Sequence, residues 1–106
     1  MYIYMTKISL FYADWCGHCR TFKPIWDSLK KVFKKNNVYF EEYEDSENEE
    51  IIREEGIEGF PTIKITNNEG IKYEYTGERS ANGILNEILP NLQIGGKNKY
   101  VIKYTY

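Results

Sequence analysis

The two cysteines of the chain stand three residues apart, in Cys16-Gly17-His18-Cys19. A disulfide joining such close neighbours removes almost no chain entropy, so it would contribute little to stability. Thiol chemistry accounts for the pair better. At the start of a helix, the first sulfur meets unpaired backbone N–H groups and the positive end of the helix dipole, which favour negative charge. A thiolate is the attacking species, so Cys16 is the expected nucleophile. Cys19, one turn later on the same face, is expected to be more shielded and to resolve a mixed disulfide. The intervening Gly17 and His18 set the poise. His18 can carry a proton near neutral pH and stabilise the Cys16 thiolate. A more stable reduced form makes the disulfide a stronger oxidant, each ~30 mV corresponding to about 1.4 kcal/mol for a two-electron couple. The alternative chemistry is a metal site. Zinc wants four ligands and His18 points elsewhere, so a metal or iron–sulfur cluster would have to bridge two copies of the chain. Within one chain, neither a metal nor a cofactor is expected.

The elements that position this pair follow from periodicity. Residues 2–12 alternate and then run apolar (Ile3, Met5, Ile8, Leu10, Phe11, Tyr12), which predicts a largely buried strand. Beyond the cysteines, Phe22, Ile25, Trp26, Leu29 and Phe33 recur at helical spacing, with Arg20 and several lysines on the other faces. A helix from about Cys16 to Lys35 is expected, kinked at Pro24, with Trp26 and its fellow aromatics in the core. Val38 to Tyr43 reads as a second strand. Ser46-Glu47-Asn48-Glu49 reads as a capping box opening a short helix that ends at Gly56. Thr62–Thr66 and Ile71–Thr76 predict a hairpin around Asn67-Asn68-Glu69-Gly70. A last helix is expected near Ser80 to Leu89, stopped by Pro90 and Gly95-Gly96, and Tyr100 to Tyr106 predicts a further strand. The order β-α-β-α-β-β-α, with crossover helices and then a hairpin, predicts an α/β fold with a mixed sheet and helices on both faces.

At 106 residues the sequence has room for a single domain, 1–106, and at 42% hydrophobic and 16% aromatic it is globular in composition. A net charge of −2 argues against nucleic acid as a partner. No stretch approaches the roughly 18 apolar residues of a membrane span, so no membrane partner is expected. As written, the sequence shows neither a secretory leader nor a retention signal, so a cytosolic location is expected; a removed leader would place it in an oxidising compartment. The acidic stretch from Glu41 to Glu58 reads as a solvated face.

Phe11-Tyr12-Ala13-Asp14-Trp15-Cys16-Gly17-His18-Cys19, with Pro24 downstream and Gly59-Phe60-Pro61-Thr62 later, resembles the thioredoxin superfamily. The likeness is closest to the catalytic domains of protein disulfide isomerases, whose motif is Trp-Cys-Gly-His-Cys, and it runs from about residue 8 to residue 89. The resemblance implies a thioredoxin-like fold, here without the usual first β-α unit. It implies a cis bond before Pro61, which lies against the dithiol and leaves the Phe60 backbone free to pair with a substrate segment. Trp15, Phe60 and Pro61 are thus the expected substrate-binding residues. Arg79 falls where isomerase domains carry an arginine that acts on the second cysteine, lowering its pKa. Two positions depart from the family: Leu10 stands where a buried acid is usual, and Glu42 where its lysine is usual. The implied function is a thiol–disulfide oxidoreductase, more oxidase- or isomerase-like than reductase-like. Its partners would be protein thiols and disulfides and an unidentified redox partner, with the chain acting as a monomer. The rival is a metal-bridged dimer or a thioredoxin-like binding module without turnover.

Overall fold

Strand β1, Thr6–Tyr12, is the spine of the structure because it is flanked on both sides. A computed structural model of the chain describes residues 5–34 and 38–92. In it, β1 pairs in parallel with β2 (Val38–Glu44) and antiparallel with β3 (Thr62–Thr66), which in turn pairs antiparallel with β4 (Lys72–Glu74). The sheet order is β2-β1-β3-β4. The expected strand over 2–12 is shorter than its apolar run: its ladders stop at Thr6–Val38 and Lys7–Thr66, Met5 lies exposed beyond them, and residues 2–4 fall outside the described residues.

Helix α1 spans Gly17–Val32, and α3 spans Ala81–Ile88. Both lie on the sheet face formed by Ile8 and Leu10 of β1 and Ile63 and Ile65 of β3. Phe22, Trp26 and Leu29 of α1, with Phe33 at its C-cap, meet Ile84 and Ile88 of α3 there. Burying each such side chain contributes about 1.5–3 kcal/mol, so this layer supplies most of the fold's driving force. The helix runs through Pro24, where the amide that would reach the Arg20 carbonyl is missing. It ends at Val32 rather than Lys35, with the Phe33 amide donating to the Leu29 carbonyl at 3.0 Å.

The short helix α2, Glu49–Glu54, lies on the opposite face, where Lys64 of β3 donates to the Glu55 carbonyl at 2.7 Å. Helices therefore cover both faces of a mixed sheet. Around α2 that second face mixes polar and aromatic groups: Glu41 accepts from Ser9 and Tyr43, and Phe11 stacks on Tyr43 with ring centroids 5.2 Å apart. The expected capping box does not form. The Glu44 carboxylate captures both the amide and the hydroxyl of Ser46 (3.0 and 2.6 Å), which winds Asp45–Glu47 into a 3-10 turn and leaves Asn48 as the cap of α2. At the other end Gly56, at φ +68°, closes the helix, its amide bonding Arg53 and the Ile57 amide bonding Ile52.

The hairpin forms as expected, although β4 is limited to Lys72–Glu74. Asn67 organises its turn by accepting from the amides of Glu69 and Ile71. Ser80 caps α3 through a 3.0 Å bond from the Gly83 amide, and a 3-10 turn at Leu89–Leu92 follows. Among the described residues no strand or helix precedes β1, and β2 has a strand on one side only. The expected C-terminal strand at Tyr100–Tyr106 lies outside the described residues.

Candidate active site

The end of β1 and the start of α1 are joined by the four residues Ala13–Cys16, and this tight turn holds the first cysteine at a helix N-terminus. The Cys16 amide donates to the Ala13 carbonyl at 3.1 Å, and Cys16 itself is extended (φ −88°, ψ 119°) as the cap residue of α1. The turn is pinned twice more: the Asp14 amide reaches the Glu44 carboxylate at 3.3 Å, and Arg20 reaches back to donate to the Asp14 carbonyl at 3.0 Å. Both cysteines are present as free thiols and both are buried, Cys19 more deeply at 2% exposure against 7% for Cys16.

Their electrostatic settings diverge. The Cys16 thiol lies below the ordinary thiol range. The hydrogen bond from Cys19 is the largest cause, and it is opposed by burial; the amides of Cys19 and His18 at the helix start and the charge of Arg20 add to it. Cys19 is pushed up to about 11, first by burial and then by its bond to Cys16, with an Ala13 backbone bond and the Arg79 charge acting the other way. One sulfur is disposed to be the thiolate and its neighbour to hold the proton. His18 contributes to Cys16 through its backbone amide, while its side chain is exposed. Gly17 is also exposed, and a side chain there would make ordinary contact with Arg20 at 3.8 Å.

The second wall of the site comes from far along the chain. The Cys16 thiol donates to the Phe60 carbonyl at 3.4 Å, and the Phe60–Pro61 bond is cis. Phe60 and Tyr12 pack against the small cluster of Ala13, Cys16 and Cys19. Trp15 stands 69% exposed with its ring edge-on to Phe60, centroids 5.9 Å apart. Arg79 and Pro61 line one cavity of about 200 Å³ together with residues 62–63 and 74–77. The structure thus brings Trp15, Cys16, Cys19, Phe60 and Pro61 together, with Arg79 at the rim.

A polar cluster on the Tyr12 side of the site gathers around Glu42, which the sequence marked only as a departure from the family pattern. Glu42 of β2 accepts from the Trp26 indole at 2.8 Å and from Lys23 at 3.4 Å, and it pairs with Lys30. Lys23 also lies 4.6 Å above the Tyr12 ring. The sequence did hold a signal for this cluster: Val38, Phe40 and Glu42 alternate in β2, so a carboxylate occupies an inward position between apolar neighbours. No cluster of three or more metal-ligating side chains occurs among the described residues. Nor, among them, is any helix long and apolar enough to cross a membrane.

Known proteins carry the same architecture. The family model described as Thioredoxin matches residues 6–101. The chain is 40% identical over 81 residues to the probable protein disulfide-isomerase ER-60 of Schistosoma mansoni, covering 74% of this chain and 17% of that protein. It is 35% identical over 79 residues to the protein disulfide-isomerase of Ricinus communis, covering 70% of this chain and 16% of that one. The chain therefore spans a small part of these relatives' length. Among solved structures it is similar to the first thioredoxin domain of mouse protein disulfide-isomerase A4, with TM-score 0.72 and 27% identity over 86% of this chain and 66% of that one.

Proposed function

The chain belongs to the thioredoxin family, close to the catalytic domains of protein disulfide isomerases, and from that premise we propose that it exchanges the Cys16–Cys19 dithiol with disulfides of protein substrates. The observation that carries this reading is the divided pair at the start of α1, with Cys16 below the ordinary thiol range and Cys19 raised to about 11. In the reducing direction the Cys16 thiolate attacks a substrate disulfide, forms a mixed disulfide and expels one substrate thiolate. Cys19 then gives up its proton and attacks the Cys16 sulfur, releasing the second thiolate and leaving the oxidised pair. In the oxidising direction the same steps run backwards. The Phe60 backbone beside cis-Pro61, whose carbonyl is released when Cys16 loses its proton, holds a substrate segment in extended form, and the exposed Trp15 and half-buried Phe60 contact its side chains. Arg79 lowers the cost of deprotonating Cys19. Protein thiols and disulfides are the substrates, and a second redox protein resets the pair.

The finer part of the proposal is direction. Stabilising the Cys16 thiolate stabilises the reduced form, so the disulfide is poised as an oxidant or shuffler, and the exposed side chain of His18 is the further candidate for this tuning. The experiment is insulin reduction combined with trapping. Cys16→Ser should abolish turnover, and Cys19→Ser should accumulate mixed disulfides. Stoichiometric metal in the purified protein without dithiol activity would overturn the reading in favour of a metal-bridged or purely binding module. A reduction potential near about −180 mV supports the oxidant assignment, and one near about −270 mV refutes it.

A further inference from the structure

The loop that carries Arg79 is closed by an unusual knot around Tyr75, which is nine-tenths buried although its hydroxyl points into a loop. The Tyr75 hydroxyl donates to the Glu78 carbonyl at 2.5 Å, and the Ser80 amide donates to the same oxygen at 2.9 Å. That carbonyl belongs to the peptide joining Glu78 to Arg79, so two donors fix the plane from which the Arg79 side chain departs. The phenol is seated between two glycines. A Cβ at Gly77 would come within 2.7 to 2.9 Å of its Oη, Cζ and Cε1 atoms, and one at Gly83 within 2.6 Å of Oη and 2.7 Å of the Glu78 oxygen. Real Cβ atoms do not approach this closely, so both positions are small because the ring occupies their space. The Tyr75 amide is itself anchored to the Ile63 carbonyl at 2.8 Å, two residues from Pro61. The knot therefore ties the Arg79 backbone to the strand that forms the second wall of the site, and Arg79 and Pro61 face one cavity.

We propose that Tyr75 is a positioning residue for the resolving step: its hydroxyl and the Gly77/Gly83 seat hold the Glu78–Arg79 peptide still, so that the Arg79 guanidinium addresses Cys19 by side-chain rotation from a fixed backbone. This rests on the reading that Arg79 assists Cys19. The charge of Arg79 acts to lower the Cys19 pKa, which is consistent with it.

The test uses the whole chain and the neutral aromatic disulfide dithiodipyridine. One thiopyridone leaves when Cys16 attacks, at a rate that depends on reagent concentration. The second leaves when Cys19 attacks the Cys16 sulfur, at a rate independent of it. Arg79→Gln should slow the second release about tenfold at neutral pH, one pKa unit at a thiol being a factor of ten. Tyr75→Phe should slow it roughly threefold and move its pH profile upward while leaving the first release unchanged, as befits the loss of one neutral hydrogen bond. Gly77→Ala, which keeps the tyrosine but displaces it, should reproduce Tyr75→Phe and decides the matter if that variant folds poorly. In the Arg79→Gln background, Tyr75→Phe should add nothing. If Arg79→Gln slows resolution but neither loop variant does, or if their effects multiply with it, the positioning role is wrong and the Arg79 reading stands. If Arg79→Gln leaves resolution unchanged, both fall.

Discussion

Leu10 and Glu42 stand directly opposite each other in the parallel ladder of β1 and β2, one fully buried in the core and the other held by three donors. The family resemblance places an acid at the first position and a lysine at the second. Here the carboxylate lies one strand over, on β2, where it reverses the sign of the usual lysine, and its cations, Lys23 and Lys30, come from α1. The core beneath the dithiol is left apolar at Leu10, and the polar cluster is displaced toward the Tyr12 side.

The acid limb of stability should report this cluster. Burial raises the Glu42 pKa, but Lys30, Trp26 and Lys23 overcome it and leave the carboxyl below its usual value. A depressed folded-state pKa gives stability that is fully present above the ordinary glutamate value and is lost as pH falls through the folded one. Glu42→Gln should therefore cost about 1–3 kcal/mol at neutral pH and flatten the loss on acidification, read by urea unfolding across the acid range. An unchanged acid limb would show that the cluster is mere surface pairing.

The dithiol should titrate in two macroscopic steps that belong to the pair. Thiolate absorbance in the ultraviolet should show the first step below the ordinary thiol range and the second near 11. Attack on a small disulfide should follow the first step and resolution the second. A single step of two equivalent thiols would contradict the division.

Much of this architecture was legible in the sequence, and the exceptions share a cause. The apolar runs of β1 and β3 and the helical stripe from Phe22 to Phe33 revealed their elements because burial repeats with the backbone's own period. The Cys16–Cys19 spacing and Gly59-Phe60-Pro61 marked the two walls of the site, and the cis bond lies where the resemblance put it. Ser46 gave a misleading capping signal because its competitor, Glu44, lies just outside the motif and reaches it first. Alternation in β2 turns Glu42 inward, but its partners depend on how α1 crosses the sheet, and the Tyr75 knot depends on loop closure. Neither set of contacts leaves a periodic trace, since bonds such as Trp26 to Glu42 join elements whose relative placement is set by the whole sheet.

Trp15→Ala should separate docking from chemistry. The side chain is 69% exposed, so its loss should change stability by less than about 0.5 kcal/mol. kcat/KM for a protein disulfide should fall several-fold, while the rate with dithiodipyridine stays constant. Equal losses with both substrates would mean that Trp15 acts on Cys16 itself.

His18→Ala should lower the reduction potential, on the order of 30 mV for each 1.4 kcal/mol of thiolate stabilisation removed. The exposed imidazole leaves the fold indifferent to this change, so thermal stability of the oxidised protein should hold. A potential that does not move would assign the tuning to the helix amides alone.

Gly56→Ala separates backbone strain from the chemistry, because Gly56 shares a cavity with Phe60 and Pro61 but lies outside the cluster that holds the two cysteines. Gly56 sits at φ +68°, and a Cβ added there would meet no atom within 4 Å, so the substitution carries a purely conformational cost of about 1 kcal/mol. Gly56→Asn should cost less. Both should leave dithiol exchange untouched, as measured by insulin reduction beside urea unfolding.

The bond from Cys16 to the Phe60 carbonyl joins residues 44 positions apart, and this sets the order in which the site comes into being. Residues 6–32 can bring both cysteines onto one helix while the chain is still being synthesised, because that step needs only local contacts. The docking carbonyl arrives only when β3 has inserted beside β1, a step that closes a long loop and so comes late. Cysteine spacing is thus a property of one local segment, whereas the carbonyl that meets the first sulfur is a property of the closed sheet. A lesion anywhere along β3 would leave the dithiol in place and strip it of the surface that selects what it meets.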